Sequence, residues 1–194
     1  DGVSLDGTVL RRAALLRAVA IAAGRASPEI VSEWGTRESV DAPPPLSVAD
    51  AREKGELILV AEDDAINQKV ILQQLELLGR TAEVAGDGKE AFRMWSTGRY
   101  ALLLTDIHMP EMDGYALLRA IRAEEAARAS GTGEAPSTRG ALPIIALSAN
   151  ALRSAGEQAR AEGFDDYLTK PLALDMLMAT LEQWMPESGI ETGA

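Results

Sequence analysis

From residue 56 onward, hydrophobic and polar positions alternate between two textures. Short apolar runs occupy 57–61, 81–85, 101–105, 143–147 and 167–169. The stretches 65–78, 88–97, 114–128, 151–162 and 172–184 instead repeat apolar residues every three or four positions. The runs have strand length and the stretches helix length, which predicts repeated strand–helix units on a parallel sheet. Three of the runs, the first, third and fourth, are almost unbroken apolar residues, as strands covered on both faces require. The expected architecture is α/β and doubly wound, with five parallel strands and five helices in a domain spanning 56–186, followed by a tail at 187–194.

Upstream the texture differs. Leu10, Ala14, Leu15, Ala18, Val19 and Ala22 share one helical face and Gly24 offers a left-handed cap, predicting a helical segment within 1–26. Residues 27–55 carry Pro43, Pro44 and Pro45 in a row among scattered charges and read as a linker. The stretch 9–23 is broken by Arg11, Arg12 and Arg17. It is too short and too charged to cross a bilayer, which takes roughly 20 mostly apolar residues. Residues 130–141, rich in Gly, Ser, Thr and Pro, read as a long mobile loop away from the strand ends that carry chemistry.

Composition narrows the chemistry. The chain of 194 residues has no Cys, one His and a formal net charge of −11. Disulfides, thiolate zinc sites, thiol nucleophiles and multi-His metal centres are thereby excluded. The acidic balance argues against nucleic acid or an anionic membrane as a direct partner. A soluble protein of the cytoplasm is the expectation.

In doubly wound sheets, sites gather beyond the carboxyl ends of the strands. The first run ends in Glu62-Asp63-Asp64, the third in Asp106, the fourth in Ser148 and the fifth in Lys170-Pro171. Crowded carboxylates repel one another unless a cation intervenes. With neither Cys nor a second His available, that cation is a hard, oxygen-preferring one such as Mg²⁺. A carboxylate can itself be a nucleophile toward phosphorus, and a hydroxyl and an ammonium can grip phosphoryl oxygens. These residues therefore point to Mg²⁺-assisted phosphoryl chemistry on an Asp.

Four segments carry a resemblance: Glu62-Asp63, Thr105-Asp106-Ile107-His108-Met109-Pro110-Glu111-Met112-Asp113-Gly114, Leu147-Ser148-Ala149 and Tyr167-Leu168-Thr169-Lys170-Pro171. In this order they resemble the receiver domain of two-component response regulators. The resemblance implies a flavodoxin-like strand order of 2-1-3-4-5 and a phosphoryl group passing from a phosphohistidine to Asp106. It implies Mg²⁺ ligation by Asp63, Asp106 and the backbone carbonyl of His108, with Glu62 acting through water. Ser148 and Lys170 are then the phosphoryl-gripping residues and Ser148 and Tyr167 the switch pair, while Lys170–Pro171 is expected to be cis. The implied partners are a histidine kinase or a histidine phosphotransfer domain.

The Asp64-Ala65-Ile66-Asn67-Gln68 segment resembles receivers fused to hybrid histidine kinases, so the chain reads as a C-terminal piece of such a kinase. On that reading the receiver catalyses only its own phosphorylation and dephosphorylation, the kinase activity belonging to the parent. The helix within 1–26 resembles the last helix of a degenerate upstream receiver. It is alternatively a dimerisation segment, the other dimer surface being the face of helix four, strand five and helix five. Ile66 and Leu72 lie off the core stripe of Val70, Ile71, Leu75 and Leu78 and are expected to receive a partner helix. Asp64 reads as a helix cap rather than a ligand, and Asn67, one turn into that helix, as making a structural hydrogen bond. Rival readings are a stand-alone single-domain response regulator, a passive receiver-like module and an aspartate-nucleophile phosphatase. The phosphatase typically has a second Asp where His108 stands.

Overall fold

The computed structural model describes residues 44–130, 141–150 and 153–185. The helical segment expected within 1–26, the loop at 131–140 and the tail at 187–194 lie outside the described residues. Strands β1 (Ile58–Ala61), β2 (Ala82–Ala85), β3 (Leu102–Asp106), β4 (Ile144–Ser148) and β5 (Asp166–Thr169) form one sheet in the order β2-β1-β3-β4-β5. Every neighbouring pair is parallel. Helix α1 (Val48–Lys54) precedes β1, and α2 (Ala65–Leu77), α3 (Gly88–Thr97), α4 (Gly114–Ser130), α5 (Arg153–Ala161) and α6 (Leu174–Trp184) follow the strands in turn. The chain thus has the doubly wound, flavodoxin-like fold that its hydrophobic pattern and motifs predict.

Strand periodicity divides the core in two. Leu59, Ala61, Leu103, Ile144 and Ala146 pack with Ala91 and Trp95 of α3 and with Leu117, Leu118 and Ile121 of α4. Their neighbours Ile58, Val60, Leu102, Leu104, Ile145 and Leu147 pack with Ile71 and Leu75 of α2 and with Leu177 and Leu181 of α6. Successive strand residues point to opposite faces, so a strand buried on both must be apolar throughout. That is why β1, β3 and β4 read as unbroken runs. Truncating a residue such as Leu103 to Ala would cost about 2–5 kcal/mol.

Register places the strand ends. Ala61 pairs with Thr105, so Glu62 emerges beside Asp106. Asp106 pairs with Leu147 and Ser148 with Thr169, which brings Ser148 and Lys170 to the same edge. Because β1 sends one connection toward β2 and lies against β3 on its other side, a crevice opens above β1 and β3.

One segment departs from the sequence reading. Residues 48–54, read as the end of a linker, form α1. Ser47 caps it by accepting from the Asp50 N–H, and Gly55 ends it at φ 67°, the left-handed region that favours glycine. Ala51 is buried, the Leu46 carbonyl accepts from the Thr81 hydroxyl at 2.7 Å, and Arg52 pairs with Glu83 at 2.6 Å. The helix holds to the fold by these side contacts rather than by a long amphipathic stripe. Periodicity over so short a span gives no signal.

Candidate functional site

Glu62, Asp63 and Asp106 converge at the crevice, each offering a carboxylate oxygen within 4.8 Å of the others. Glu62 is fully buried and Asp106 is 8% exposed, whereas Asp63 faces solvent. Two like charges about 4 Å apart repel by about 4 kcal/mol at an effective dielectric constant of about 20. Part of that repulsion is offset by Lys170, whose Nζ donates to Asp106 Oδ2 at 2.5 Å and to Glu62 Oε2 at 2.6 Å. Burial alone would lower the Lys170 pKa, but the hydrogen bonds and charges of Asp106 and Glu62 outweigh it and raise the value above the ordinary one. Three carboxylates against one ammonium still leave the cluster electronegative. All its donors are hard oxygens, so these residues fit Mg²⁺.

The supporting contacts come mostly from α2. Asp64 caps the helix by accepting from the Ile66 and Asn67 N–H groups, as its sequence position predicts. The cap turns the first helical residues back toward β1. There Asn67 Nδ2 donates to Glu62 Oε1 at 2.9 Å and Gln68 Nε2 to the Glu62 carbonyl at 2.7 Å. With Lys170 on Oε2, both oxygens of the Glu62 carboxylate have protein partners.

Asp106 is held from its own side of the crevice. The His108 N–H donates to Asp106 Oδ1 at 3.1 Å, while the His108 imidazole is exposed. Ile107 and Met109 are buried in the core and anchor the loop on either side of His108. The loop closes through the Gly114 N–H on the Ile107 carbonyl at 2.9 Å. A Cβ on Gly114 would sit 2.4 Å from the Asp106 carbonyl oxygen, so only glycine allows this approach.

The fourth and fifth strand ends complete the edge. Ser148 is buried, its Oγ accepts from the Asn150 N–H at 3.1 Å, and its carbonyl accepts from the Lys170 N–H at 2.7 Å. Tyr167 is half-buried, packs its ring over Gly156, and donates its hydroxyl to the Asn150 carbonyl. Lys170–Pro171 is cis, as expected. Ile66 is 73% exposed, whereas Leu72 is half-buried against the domain.

Sequence reasoning missed three contacts, those of Gln68, Gln74 and Arg52. Gln74 lies inside the stripe taken to be apolar, yet it is buried and donates to the Leu172 carbonyl at 2.7 Å. No local pattern marks a side chain whose partner is 98 residues away. A structural hydrogen bond at Asn67 is expected from sequence, but its direction and its acceptor, the Glu62 carboxylate, become visible only in three dimensions.

Fold and cluster together define a class, and comparison with known proteins gives its name. The response regulator receiver domain profile matches residues 58–182, most of the chain. The chain belongs to the receiver domain family. It is 36% identical over 143 residues to the hybrid signal transduction protein dokA of Dictyostelium discoideum, covering 74% of this chain and 8% of that protein. It is also 36% identical over 126 residues to the sensor protein EvgS of Escherichia coli, covering 65% of this chain and 9% of EvgS. Against those relatives the chain spans less than a tenth of the full length.

Among solved structures, the receiver domain of the Pseudomonas aeruginosa sensor histidine kinase PA1611 is 38% identical with a TM-score of 0.55. The match covers 67% of this chain and 97% of that one, and that domain holds a magnesium ion in its active-site cleft. A co-crystal of the Saccharomyces cerevisiae histidine phosphotransfer protein Ypd1 with the receiver of Ssk1 matches at a TM-score of 0.59 and 27% identity. It covers 66% of this chain and 87% of that one.

Proposed function

We propose that Asp106 is the phosphoacceptor of this receiver domain in a phosphorelay, with a phosphohistidine as donor. The carrying observation is the Asp106 carboxylate, which shares the Lys170 ammonium with Glu62 and lies within 4.8 Å of carboxylate oxygens of Glu62 and Asp63. An Asp106 oxygen attacks phosphorus, the new O–P bond forms, and the N–P bond to the donor imidazole breaks. The imidazole takes a proton as it leaves. Lys170 then exchanges part of its contact with Asp106 for a phosphoryl oxygen, supplying a positive charge where negative charge accumulates. Ser148 Oγ turns from the Asn150 N–H to a second phosphoryl oxygen. Tyr167 follows, because its hydroxyl is bound to Asn150 in the same loop.

Asp63, Asp106 and the carbonyl of His108 would hold Mg²⁺ directly, and Glu62 through water. Both Glu62 oxygens already have protein partners, which favours that indirect role. When bound, the ion neutralises charge on the incoming phosphoryl group. Ile66 exposes an apolar side chain one turn from the acidic cluster and supports docking of a donor helix there, with Leu72 at its margin. The Ssk1 receiver, which matches this chain, is crystallised with a phosphotransfer protein. We further propose that the parent chain is a cytoplasmic-facing hybrid histidine kinase, since dokA and EvgS are hybrid or sensor proteins far longer than this chain. Among the described residues no helix is long and apolar enough to cross a membrane.

The test is incubation with Mg²⁺ and acetyl phosphate or phosphoramidate, read by intact mass. A single phosphoryl adduct that Asp106→Asn abolishes is the expected result. Turnover of unrelated phosphoesters without an adduct would move the reading to a phosphatase, and complete inertness to a passive module.

A further inference from the structure

Gln74 has no place in the phosphoacceptor site, yet it occupies a costly position. It is 7% exposed and flanked on α2 by Ile71 and Leu75, which belong to the apolar cluster that also holds Leu172 and Leu177. Its Nε2 donates to the Leu172 carbonyl at 2.7 Å. A carbonyl only accepts, so the amide nitrogen must be the atom facing it. The other amide atom, Oε1, is buried with no hydrogen-bond partner among the described residues. A leucine would remove the unpartnered Oε1 but leave the Leu172 carbonyl without its donor. The amide therefore both satisfies the Leu172 carbonyl and ties it to α2.

Leu172 lies two residues past Lys170, in the turn between β5 and α6. We propose that Gln74 is a positioning residue for Lys170. Helix α2 acts as a common strut: Asn67 and Gln68 in its first turn fix Glu62, and Gln74 two turns further on fixes the turn that carries the ammonium. The Lys170 N–H on the Ser148 carbonyl is the remaining tie. With both ends of the Glu62–Lys170 contact referred to one helix, the ammonium is held on Glu62 and Asp106 together. Its placement follows from this geometry alone, whereas the kinetic consequence rests on Asp106 as phosphoacceptor.

The test uses Gln74→Leu and Gln74→Met in the full chain. The chain has four lysines, Lys54, Lys69, Lys89 and Lys170, so ammonium ¹⁵N signals are assignable by one Lys170→Arg spectrum. The expected result is a displaced or broadened Lys170 signal in both variants and the other three unmoved. Thermal midpoints should stay near the parent value, because relief of the orphan Oε1 offsets the lost donor to the Leu172 carbonyl. With Mg²⁺ and acetyl phosphate, the adduct is expected to form about 3–10-fold more slowly at unchanged half-saturation. An unmoved Lys170 signal in both variants overturns the proposal, whether or not Asp106 accepts phosphate. A parental rate despite a displaced signal overturns its kinetic half. Absence of any adduct in the parent chain counts instead against Asp106 as acceptor, and the spectra still decide the placement.

Discussion

The Lys170 ammonium lies 2.5 Å from Asp106, although the two residues are 64 positions apart and on different strand ends. The side chain of Lys170 is 18% exposed, so this contact is largely withdrawn from water. Removing one partner of a buried pair strands the other, at a cost of about 3–5 kcal/mol. Lys170→Met is therefore expected to lose stability toward that range in urea unfolding and to form no lasting phosphoryl adduct. The Lys170 pKa is raised, so its contribution is fully present below the ordinary lysine value of about 10.5 and fades as pH rises through the higher folded value. The stability gap between parent and Lys170→Met should hold from neutral pH to about 10 and narrow above it. A gap that narrowed already at pH 8 would rule this out.

The acidic cluster makes a separate prediction about metal. Only deprotonated carboxylates bind a hard cation, and a ligand that binds the folded state alone stabilises it by mass action. Mg²⁺ at 100 times its dissociation constant is worth about 2.7 kcal/mol. Thermal melts should rise with Mg²⁺ at neutral pH and respond much less in acid. Asp63→Ala should abolish the rise with little effect on the metal-free melt, because Asp63 is exposed. Identical neutral melts with and without Mg²⁺ would remove these residues as a metal site.

Much of this was legible in the sequence. Unbroken apolar runs at β1, β3 and β4 follow directly from burial on both faces, and the strand-end rule then singles out Glu62, Asp63, Asp106, Ser148 and Lys170. Asp64 was readable as a cap because capping is local. What stayed hidden depends on distant partners. Gln74 looks like a polar interruption of an apolar stripe until Leu172 comes beside it, and Arg52 looks like linker charge until Glu83 does. Helix α1 escaped notice because its stability comes from its caps and from contacts with residues near β2.

Tyr100 is the group whose titration should be visible. Its hydroxyl donates to Glu83 at 2.7 Å, and burial, followed by the hydrogen bond and charge of Glu83, pushes its pKa up to about 12. The folded state holds this proton to higher pH than the unfolded state, whose value is about 10. Stability should therefore fall as pH rises from about 10 to about 12, by about 1–2 kcal/mol after discounting for partial exposure. Tyr100→Phe should flatten that slope. In an ultraviolet titration Tyr100 should ionise late, as should Tyr115, whose value burial also raises, and the Tyr100 component should vanish in the variant. An unchanged slope would refute the assignment.

Helix α1 predicts a difference between a point change and a deletion. The Arg52–Glu83 pair has side chains 43% and 26% exposed, so Arg52→Ala should cost less than about 1 kcal/mol. Deleting residues 1–55 also removes the Leu46 acceptor of Thr81 and the buried Ala51 methyl, together worth about 2 kcal/mol. Urea midpoints should rank parent, then Arg52→Ala, then the deletion. Equal midpoints for the parent and the deletion would mean that α1 adds nothing to the fold.

Two glycines should respond to alanine with opposite signs. In Gly114→Ala the new methyl would fall 2.4 Å from the Asp106 carbonyl oxygen, and backbone cannot swing aside as a side-chain tip can. Overpacking of this kind costs about 1–3 kcal/mol. Because the displaced backbone belongs to Asp106, adduct formation should slow along with the loss of stability. In Gly156→Ala the nearest atom is 3.3 Å away on the half-buried ring of Tyr167, which can shift by a few tenths of an ångström. Gly156 lies inside α5, where alanine is favoured over glycine by about 1 kcal/mol. That variant should melt at or above the parent temperature. If Gly114→Ala melts like the parent and phosphorylates at the parental rate, the close packing beneath Asp106 does not set the site's geometry.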